Sequence, residues 1–436
     1  MAAIDATTTL PRSSGNGARF YYFILSVLAL VGIGALGVRL ALGMRTTALS
    51  SPMAWGMWVA IYIYFIGLSA GSFLLSTLIY VFGMHRYEKV GRIALLSALF
   101  ALFGGMLFVW IDLGHPERFW RVFVNWSHTS VLAWEVLFYL FYIVAIGCEL
   151  WFLMRCDLAD LAENSEGWRK RLYSMLALGF RCPTDRVQYE ACHAQSLKVV
   201  KVWGLIGIPV AIGVHGGTGA IFAVVAAKPY WFTGLFPIIF LVSALASGAA
   251  LMTFLYAFFG RRDEEYLDIV RGMANLMVLF IALDLLLLAS EYLVGLYGRI
   301  PDHTDVFHQI MFGPFPYTFW AGQLLMGAAI PLFLATWRKT RDNPNWLGLA
   351  GLSAVLGIVA VRLNLVIPAY VVPVLKGLDK AYINPRWSYF YFPSGWEWAN
   401  SIGLVALVVL GFSLAFKLLP MFHEVGERFR TEEALT

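Results

Sequence analysis

The chain has 436 residues, of which 60% are hydrophobic and 14% charged, with a net charge of +5. Soluble domains carry about 45–50% apolar and about 25% charged residues, so this composition excludes an ordinary soluble enzyme and points to lipid as the solvent. The small basic excess sits in short loops between apolar runs rather than on one face, which excludes a nucleic-acid partner.

In chain order, residues 1–19 form a polar, Ser/Thr-rich N-terminus. The first apolar run, 20–42, is longer than the about 7–15 residues of a signal-peptide core and lacks a small-residue cleavage site, so it reads as a membrane anchor. A crossing helix needs about 20 mostly apolar residues. Nine further runs qualify: 54–84, 90–113, 130–153, 199–226, 234–259, 272–296, 317–336, 347–372 and 398–419. Alternation with period two is absent, which argues against a barrel. The expected fold is all-α and integral to the membrane, with ten spans. Residues 20–419 form the membrane domain, interrupted by a polar loop at 155–197, and 420–436 form a polar tail. Within the loop, Trp168, Leu172, Met175 and Leu176 recur at helical spacing beside Arg169, Lys170 and Arg171, the pattern of a short interfacial helix.

Loop charge sets the orientation. If the N-terminus is cytoplasmic, that side holds Arg12, Arg19, Arg86, Lys89, the loop at 155–197, Arg261, Arg262, Arg338, Lys339 and Arg341. The opposite side holds a much smaller basic set, including Arg45, Arg118, Arg121, Lys228 and Arg299. Both termini are therefore expected in the cytoplasm. A weak internal echo links the stretch from Trp55 to Gly71-Ser72 with that from Trp231 to Ser247-Gly248. Both are an aromatic entry followed by a small-residue patch, and both run from outside to inside. This suggests a direct duplication of a four-helix unit, spans two to five and six to nine, with flanking helices. Small patches of this kind let helices approach closely.

Ionisable residues inside spans are costly, and each marks a functional hypothesis. Asp112 ends the third span and Glu135 begins the fourth, both outside. His215 lies in the fifth, roughly 25 Å from its inner end at 1.5 Å per residue. Asp284 is near mid-membrane, Glu291 two turns further out, Arg362 past the middle of the ninth span, and Glu397 at the outer start of the tenth. By this reading only Asp284 departs from an outward bias. Asp112, Glu135 and Glu397 also fit an interfacial capping role, and Arg362 fits a structural pairing with Asp284 or Glu291. His215 sits among glycines, His215-Gly216-Gly217-Thr218-Gly219, expected to clear space beside its ring. Histidine can donate a hydrogen bond to a quinone oxygen and exchange a proton near neutral pH. Only His215 is deep in a span, so bis-histidine haem is not expected. Cys148, Cys156, Cys182 and Cys192 form no C-x-x-C, so no iron–sulfur cluster or c-type haem is expected on this chain.

The segment Ile111-Asp112-Leu113-Gly114-His115-Pro116-Glu117-Arg118-Phe119-Trp120 resembles the Asp-Leu-Gly-x-Pro-x-Arg-Phe-Trp motif of the NrfD/PsrC family, and Ser51-Pro52-Met53-Ala54-Trp55-Gly56 resembles that family's span entry. Ten spans make the chain most similar to the HybB/DsrP branch. The His215 helix, Arg362-Leu363-Asn364 and Tyr391-Phe392-Pro393-Ser394 leading to Glu397 also fit that branch, and the loop at 155–197 is the least matched part. The resemblance implies a cofactor-free subunit of the bacterial inner membrane. It would exchange electrons between menaquinone or ubiquinone and a periplasmic ferredoxin-like iron–sulfur partner. It implies a quinone or proton region at Asp112, Glu135 and His215, with Trp55 and Gly71 near the quinone. It implies matched polar positions at Glu291, Arg362 and Glu397. Apart from the resemblance, Asp284, Glu291, Arg362 and Glu397 are a candidate proton path coupled to the quinone chemistry, the mark of a rival reading as a proton-translocating device. His115 stands where the family usually has Arg, and reads either as a variant proton donor or as a loop residue. The rival readings are a secondary transporter, which usually shows inverted repeats, and a purely structural anchor.

Overall fold

The computed structural model describes residues 16–183, 185–384 and 386–422. Among them there is no strand, and ten helices are long and apolar enough to cross a membrane. They are α1 (Asn16–Leu42), α2 (Met57–Tyr80), α3 (Glu88–Asp112), α4 (Val131–Asn164), α5 (Arg186–Ala223), α6 (Phe236–Phe259), α7 (Tyr266–Gly298), α8 (Thr318–Thr336), α9 (Pro344–Val366) and α10 (Gly395–Leu418). Ten crossings leave both ends of the bundle on one side, called inner below. The expected N-terminal tail lies outside the described residues up to 15, and the expected C-terminal tail from 423 onward.

Local chemistry starts several helices. Ser130 accepts from the Ala133 amide to cap α4, and Asp185 accepts from the Gln188 amide to cap α5. Asn343 caps α9, where Pro344 sits at a position that needs no amide donor. Ser394 and Glu397 form a reciprocal capping box on α10.

Helices α2–α5 form one bundle and α6–α9 another, with α2, α6 and α9 at the shared centre. α2 is buried along almost its whole length. The two bundles meet where Gly71 of α2 lies against Ala244 and Gly248 of α6, so closely that a Cβ on either glycine would strike the opposite backbone. Toward the outer end of the same seam, Trp55 and Trp231 pack with ring centroids 5.8 Å apart. The paired tryptophans and paired glycines are the residues of the internal echo, now facing each other across the interface. α1 and α10 lie together outside the bundles, joined at Gly32 and Gly403, and Phe412 of α10 packs on Phe100 of α3.

Three details differ from the sequence reading. α4 and α5 continue well past their expected inner ends, at 34 and 38 residues, and convert most of the loop at 155–197 into helix. The short helix expected there is present as Gly167–Leu176, but it docks against the bundle. Tyr173 donates to the Leu418 carbonyl at 2.9 Å, and Trp151 to the Leu176 carbonyl at 3.0 Å. Finally, the first twelve residues of α8, Thr318–Ala329, wind as a π-helix. Pro331 lacks the amide that an α-helix would direct at the Gly327 carbonyl, and glycines at 322 and 327 bring this wide turn against Ala360 and Gly357 of α9.

The seam gives a first prediction. Gly71→Val forces two backbones apart, and overpacking of this kind costs about 1–3 kcal/mol or more. A clear drop in the unfolding temperature of the detergent-solubilised protein is expected. Gly216→Ala and Gly217→Ala, where an added Cβ meets nothing within 4 Å, should leave it unchanged.

Candidate functional site

The expected site residues fall into separate groups. At the outer ends of α3 and α10, Arg39 of α1 donates to the carbonyls of Ile111 (3.1 Å) and Leu113 (2.7 Å) and lies over the Trp58 ring. It thereby fixes the turn that carries Asp112, whose Oδ1 is buried with no hydrogen-bond partner. Sequence reasoning overlooked Arg39, although a buried arginine near a span end was its visible signal. Glu397 accepts from the amides of Ala48 and Ser394, both at 2.8 Å, and from the Tyr391 hydroxyl at 2.5 Å. Tyr391 accepts in turn from the Met57 amide at 2.9 Å. Burial, then the adjacent Glu397 carboxylate, pushes the Tyr391 phenol well above its ordinary range, so it stays a donor. Glu397 therefore ties the 46–57 segment to α10 as a capping residue, one of its two readings from sequence. Gly56 is required there because the Tyr391 ring occupies the space of a side chain.

Trp55 packs edge-on against Phe222 and Tyr370 as well as beside Trp231. It closes the outer end of the seam. Gly71, expected near a quinone, has its open face filled by the α6 backbone. His115 is exposed and lies 3.0 Å from Glu117, also exposed. It stands apart from the buried groups, on the outer surface.

The central group is built around Glu135, 1% exposed on α4. Tyr62 of α2 and Tyr139 of α4 each donate to its Oε1 at 2.7 Å, and Thr218 of α5 donates to the same oxygen. Thr218 lies one helical turn from His215, so the two face the same interior. His215 is fully buried; its ring approaches the Phe240 backbone, but neither nitrogen makes a hydrogen bond of normal geometry. Its ring packs 5.4 Å from that of Phe240.

From the second bundle, Arg362 of α9 reaches the same place. It donates to Ser243 at 3.0 Å, lies 5.1 Å over Phe240, and leaves Nε unpartnered. Gly67 of α2 faces both His215 and Arg362, within about 3.5 Å of each were it to carry a Cβ. Space beside the imidazole thus comes from Gly67, not from the glycines following His215, of which Gly216 and Gly217 face open space and Gly219 packs on Phe236 and Pro237. Asp284 of α7 interacts electrostatically with Arg362, and Glu291 with Asp284. Glu291 Oε1 is also buried without a partner.

The two halves are chemically unequal. In the first, Glu135 near the start of α4 meets Thr218 of α5. In the second, Gln323 near the start of α8 accepts from Asn364 of α9 at 2.8 Å, and Thr318 donates to Asn364 at 2.7 Å. The second pairing is neutral where the first holds a carboxylate.

The expectation that inner span halves lack ionisable groups is overturned. Glu149 of α4 is fully buried, with both oxygens unpartnered, and lies against Gly204 and Thr77. Further in, Arg92 and Asp157 form a buried ion pair at 2.6 Å. The interior face of α4 thus carries Glu135, Tyr139, Tyr142, Glu149 and Asp157 in sequence, all buried. Tyr142 donates to the Ser69 carbonyl at 3.0 Å. Tyr80 lies close enough to both Glu149 and Arg92 to interact with them electrostatically. The spacings of 4, 3, 7 and 8 residues keep these side chains on one helix face, and Glu149, inside the expected span 130–153, was missed by the sequence reading. Among the described residues no three His, Cys, Asp or Glu side chains are arranged to hold a metal ion.

The fold and site define a polytopic membrane protein of two four-helix bundles around a shared, buried polar centre. Residues 45–374 match the family described as polysulphide reductase, NrfD, and the chain belongs to that family. It is 49% identical to the C subunit of selenate reductase from Mesobacillus selenatarsenatis, over 95% of this sequence and 96% of that one. It is 28% identical to the Hdr-like menaquinol oxidoreductase integral membrane subunit of Archaeoglobus fulgidus, over 94% and 95%. It is 22% identical to the integral membrane subunit of menaquinone reductase from Nitratidesulfovibrio vulgaris, over 94% of each.

The acceptor role of Glu135 is testable by stability. Glu135→Leu removes the shared acceptor of three buried hydroxyls; Thr218 keeps the Val214 carbonyl and Tyr139 the Tyr62 hydroxyl, so Tyr62 is left without an acceptor at about 1–3 kcal/mol, and the unfolding temperature should fall. Glu135→Gln keeps an oxygen acceptor and should remain near the parent protein.

Proposed function

We propose that the chain is the quinone-reactive membrane subunit of a respiratory oxidoreductase complex in a bacterial inner membrane. It would exchange electrons between menaquinone or ubiquinone and a periplasmic ferredoxin-like iron–sulfur subunit docked on the outer loops. The observation that carries this reading is His215, a fully buried imidazole with both nitrogens free of normal hydrogen bonds. It sits one turn from a threonine bonded to a buried carboxylate. Such unpaired groups cost stability and are retained where a ligand completes them. A quinone carbonyl oxygen is a suitable acceptor for an imidazole N–H. The names of the relatives, among them a menaquinol oxidoreductase membrane subunit, support the same class of substrate.

In this reading the head group enters from lipid near the outer ends of the first bundle. His215 hydrogen-bonds one oxygen. Reduction of the quinone to quinol takes two electrons and two protons, and oxidation releases them. The electrons pass to or from the partner's clusters, and Asp112 and Glu135 exchange protons with the outer side. Two further carboxylate series extend from this centre. Arg362, Asp284 and Glu291 run outward through the second bundle, flanked at the outer surface by Glu397. Glu149 lies about 21 Å inward of Glu135 along α4, at 1.5 Å per residue, and serves as a proton station toward the inner side. The predominance of basic residues in the inner loops supports placing that side in the cytoplasm.

The complex purified in mild detergent tests this. His215→Ala and Asp112→Asn should lower quinone-linked turnover about 100-fold, the scale of a lost general acid–base group, and His215→Ala should also reduce the quinone that co-purifies. Unchanged turnover in an assembled complex would remove these residues from the site. An assembled complex that never retains quinone would favour a structural anchor, and a protein purified without iron or quinone a transporter. Glu149→Gln should slow turnover while leaving bound quinone intact. If turnover is unaffected, the inner half of α4 carries no protons for the reaction.

A further inference from the structure

Three of the four cysteines, left unassigned by the quinone reading, converge from three separate segments. Cys156 lies on the inner extension of α4, Cys192 in the first turns of α5, and Cys182 in the connection before α5. The Cys156 thiol lies close enough to those of Cys182 and Cys192 to interact with both. All three are unpaired and only partly buried. Cys156 is 25 residues beyond Val131, about 37 Å along the helix at 1.5 Å per residue. That exceeds the hydrocarbon thickness of about 30 Å, so the cluster sits at the inner membrane surface within reach of soluble reagents.

The backbone is shaped to make this cluster. After the helix Gly167–Leu176, Leu178 and Gly179 both adopt left-handed φ, 52° and 75°, a costly conformation for leucine. This turn sends Phe180 back against Trp151 of α4 and brings Cys182 onto the core. Arg155 then fastens the three segments. Its guanidinium lies 4.9 Å from the Phe152 ring and 4.5 Å from that of Phe180. It donates to Ser196 Oγ at 3.1 Å and to Cys192 Sγ at 3.4 Å. A cation against this sulfur partly offsets the cost of ionising a half-buried thiol. The same cation opposes metal binding by the three sulfurs.

We propose that Cys156, Cys182 and Cys192 form a thiol–disulfide exchange site for low-molecular-weight disulfides. The Cys192 thiolate attacks one sulfur of the small disulfide, breaking its S–S bond, forming a mixed disulfide and releasing one small thiol after protonation. Cys156 gives up its proton and attacks the Cys192 sulfur, forming the Cys156–Cys192 bond and releasing the second small thiol. Two protein thiols are oxidised and one small disulfide is reduced to two thiols. Cys182 can displace Cys192 from Cys156 by the same exchange, moving the bond between α5 and the connection. The bond clamps the inner end of α4, which carries Glu135 and Glu149, to the helix of His215 or to the loop beside it. With the inner side in the cytoplasm, three thiols are the resting state and the disulfide a transient one.

The test needs no partner enzyme and is independent of the quinone reading. Native membranes holding the full-length protein are treated with oxidised glutathione, blocked with N-ethylmaleimide, digested and analysed by mass spectrometry. Expected are linked peptides joining Cys156 to Cys192 or Cys182, lost on treatment with dithiothreitol, while Cys148 is recovered only as the single alkylated form. Cys156→Ser should abolish both links and leave glutathione on Cys192. Cys192→Ser removes the attacking thiolate and should abolish both links, with no glutathione left at position 192. Recovery of Cys156 from the unsubstituted protein solely as an alkylated or glutathione-bearing residue overturns the proposal, as does linkage of Cys148 to the same extent.

Discussion

The structure depends on one close approach, that of α2 to α6 at Gly71 and Gly248. Lipid tails are as apolar as the helix surfaces, so helices associate in membranes through packing and polar contacts rather than through escape from water. Backbones that touch gain the closest packing available. This seam sets the distance between the bundles, and the consequence one turn outward is chemical. Gly67 falls level with α5 and α9, leaving a space into which each sends one buried basic side chain, His215 from one half and Arg362 from the other. The polar centre is therefore a property of the interface between the halves, and neither bundle alone would contain it.

Burial governs how the polar groups are arranged. Glu135 has three hydroxyl donors, Glu397 two amides and a phenol, and Arg92 a carboxylate partner. These groups are answered, as a low-dielectric interior requires. Asp112, Glu149, Glu291 and His215 retain unanswered atoms. The contrast separates groups whose hydrogen bonds are complete from groups whose free atoms support the proposed quinone and proton roles, and Glu135, fully bonded, would serve in both. The two halves differ as well. The α4–α5 contact holds the Glu135 carboxylate, and the α8–α9 contact holds the neutral Gln323–Asn364 pair on a π-wound helix.

Much of the fold was legible from residue order. Spans of sufficient length, caps such as Ser394 with Glu397, and the tryptophan–glycine echo all follow from local chemistry, and each corresponds to an element or a contact. The inner ends of α4 and α5 were not legible. Their polar residues, among them Arg155, Asp157 and Asp185, mark the limit of lipid and not the limit of helix, and hydropathy cannot tell the two apart. Glu149 lay within the expected span 130–153 and was overlooked, since a charge a few residues from a span end does not break the hydropathy of the run. Gly67 was read as packing, and its second role beside His215 and Arg362 requires knowing which helices it faces.

Sequence by itself determined that the protein lives in lipid, crosses it ten times and carries costly ionisable groups within its spans, because hydropathy and charge are summed along the chain. It also carried the family motifs around Asp112 and Trp55. Only the tertiary structure decided which of those groups meet. His215 and Arg362 are 147 positions apart in sequence and share a neighbour, Gly67, because the two bundles pack face to face. Glu397 is a cap because Tyr391 and Ala48 come to it from other segments. Three cysteines became a cluster because a left-handed turn folds a loop back on α4. Partnership between distant side chains is set by packing, and packing is a property of surfaces that no single stretch of sequence contains.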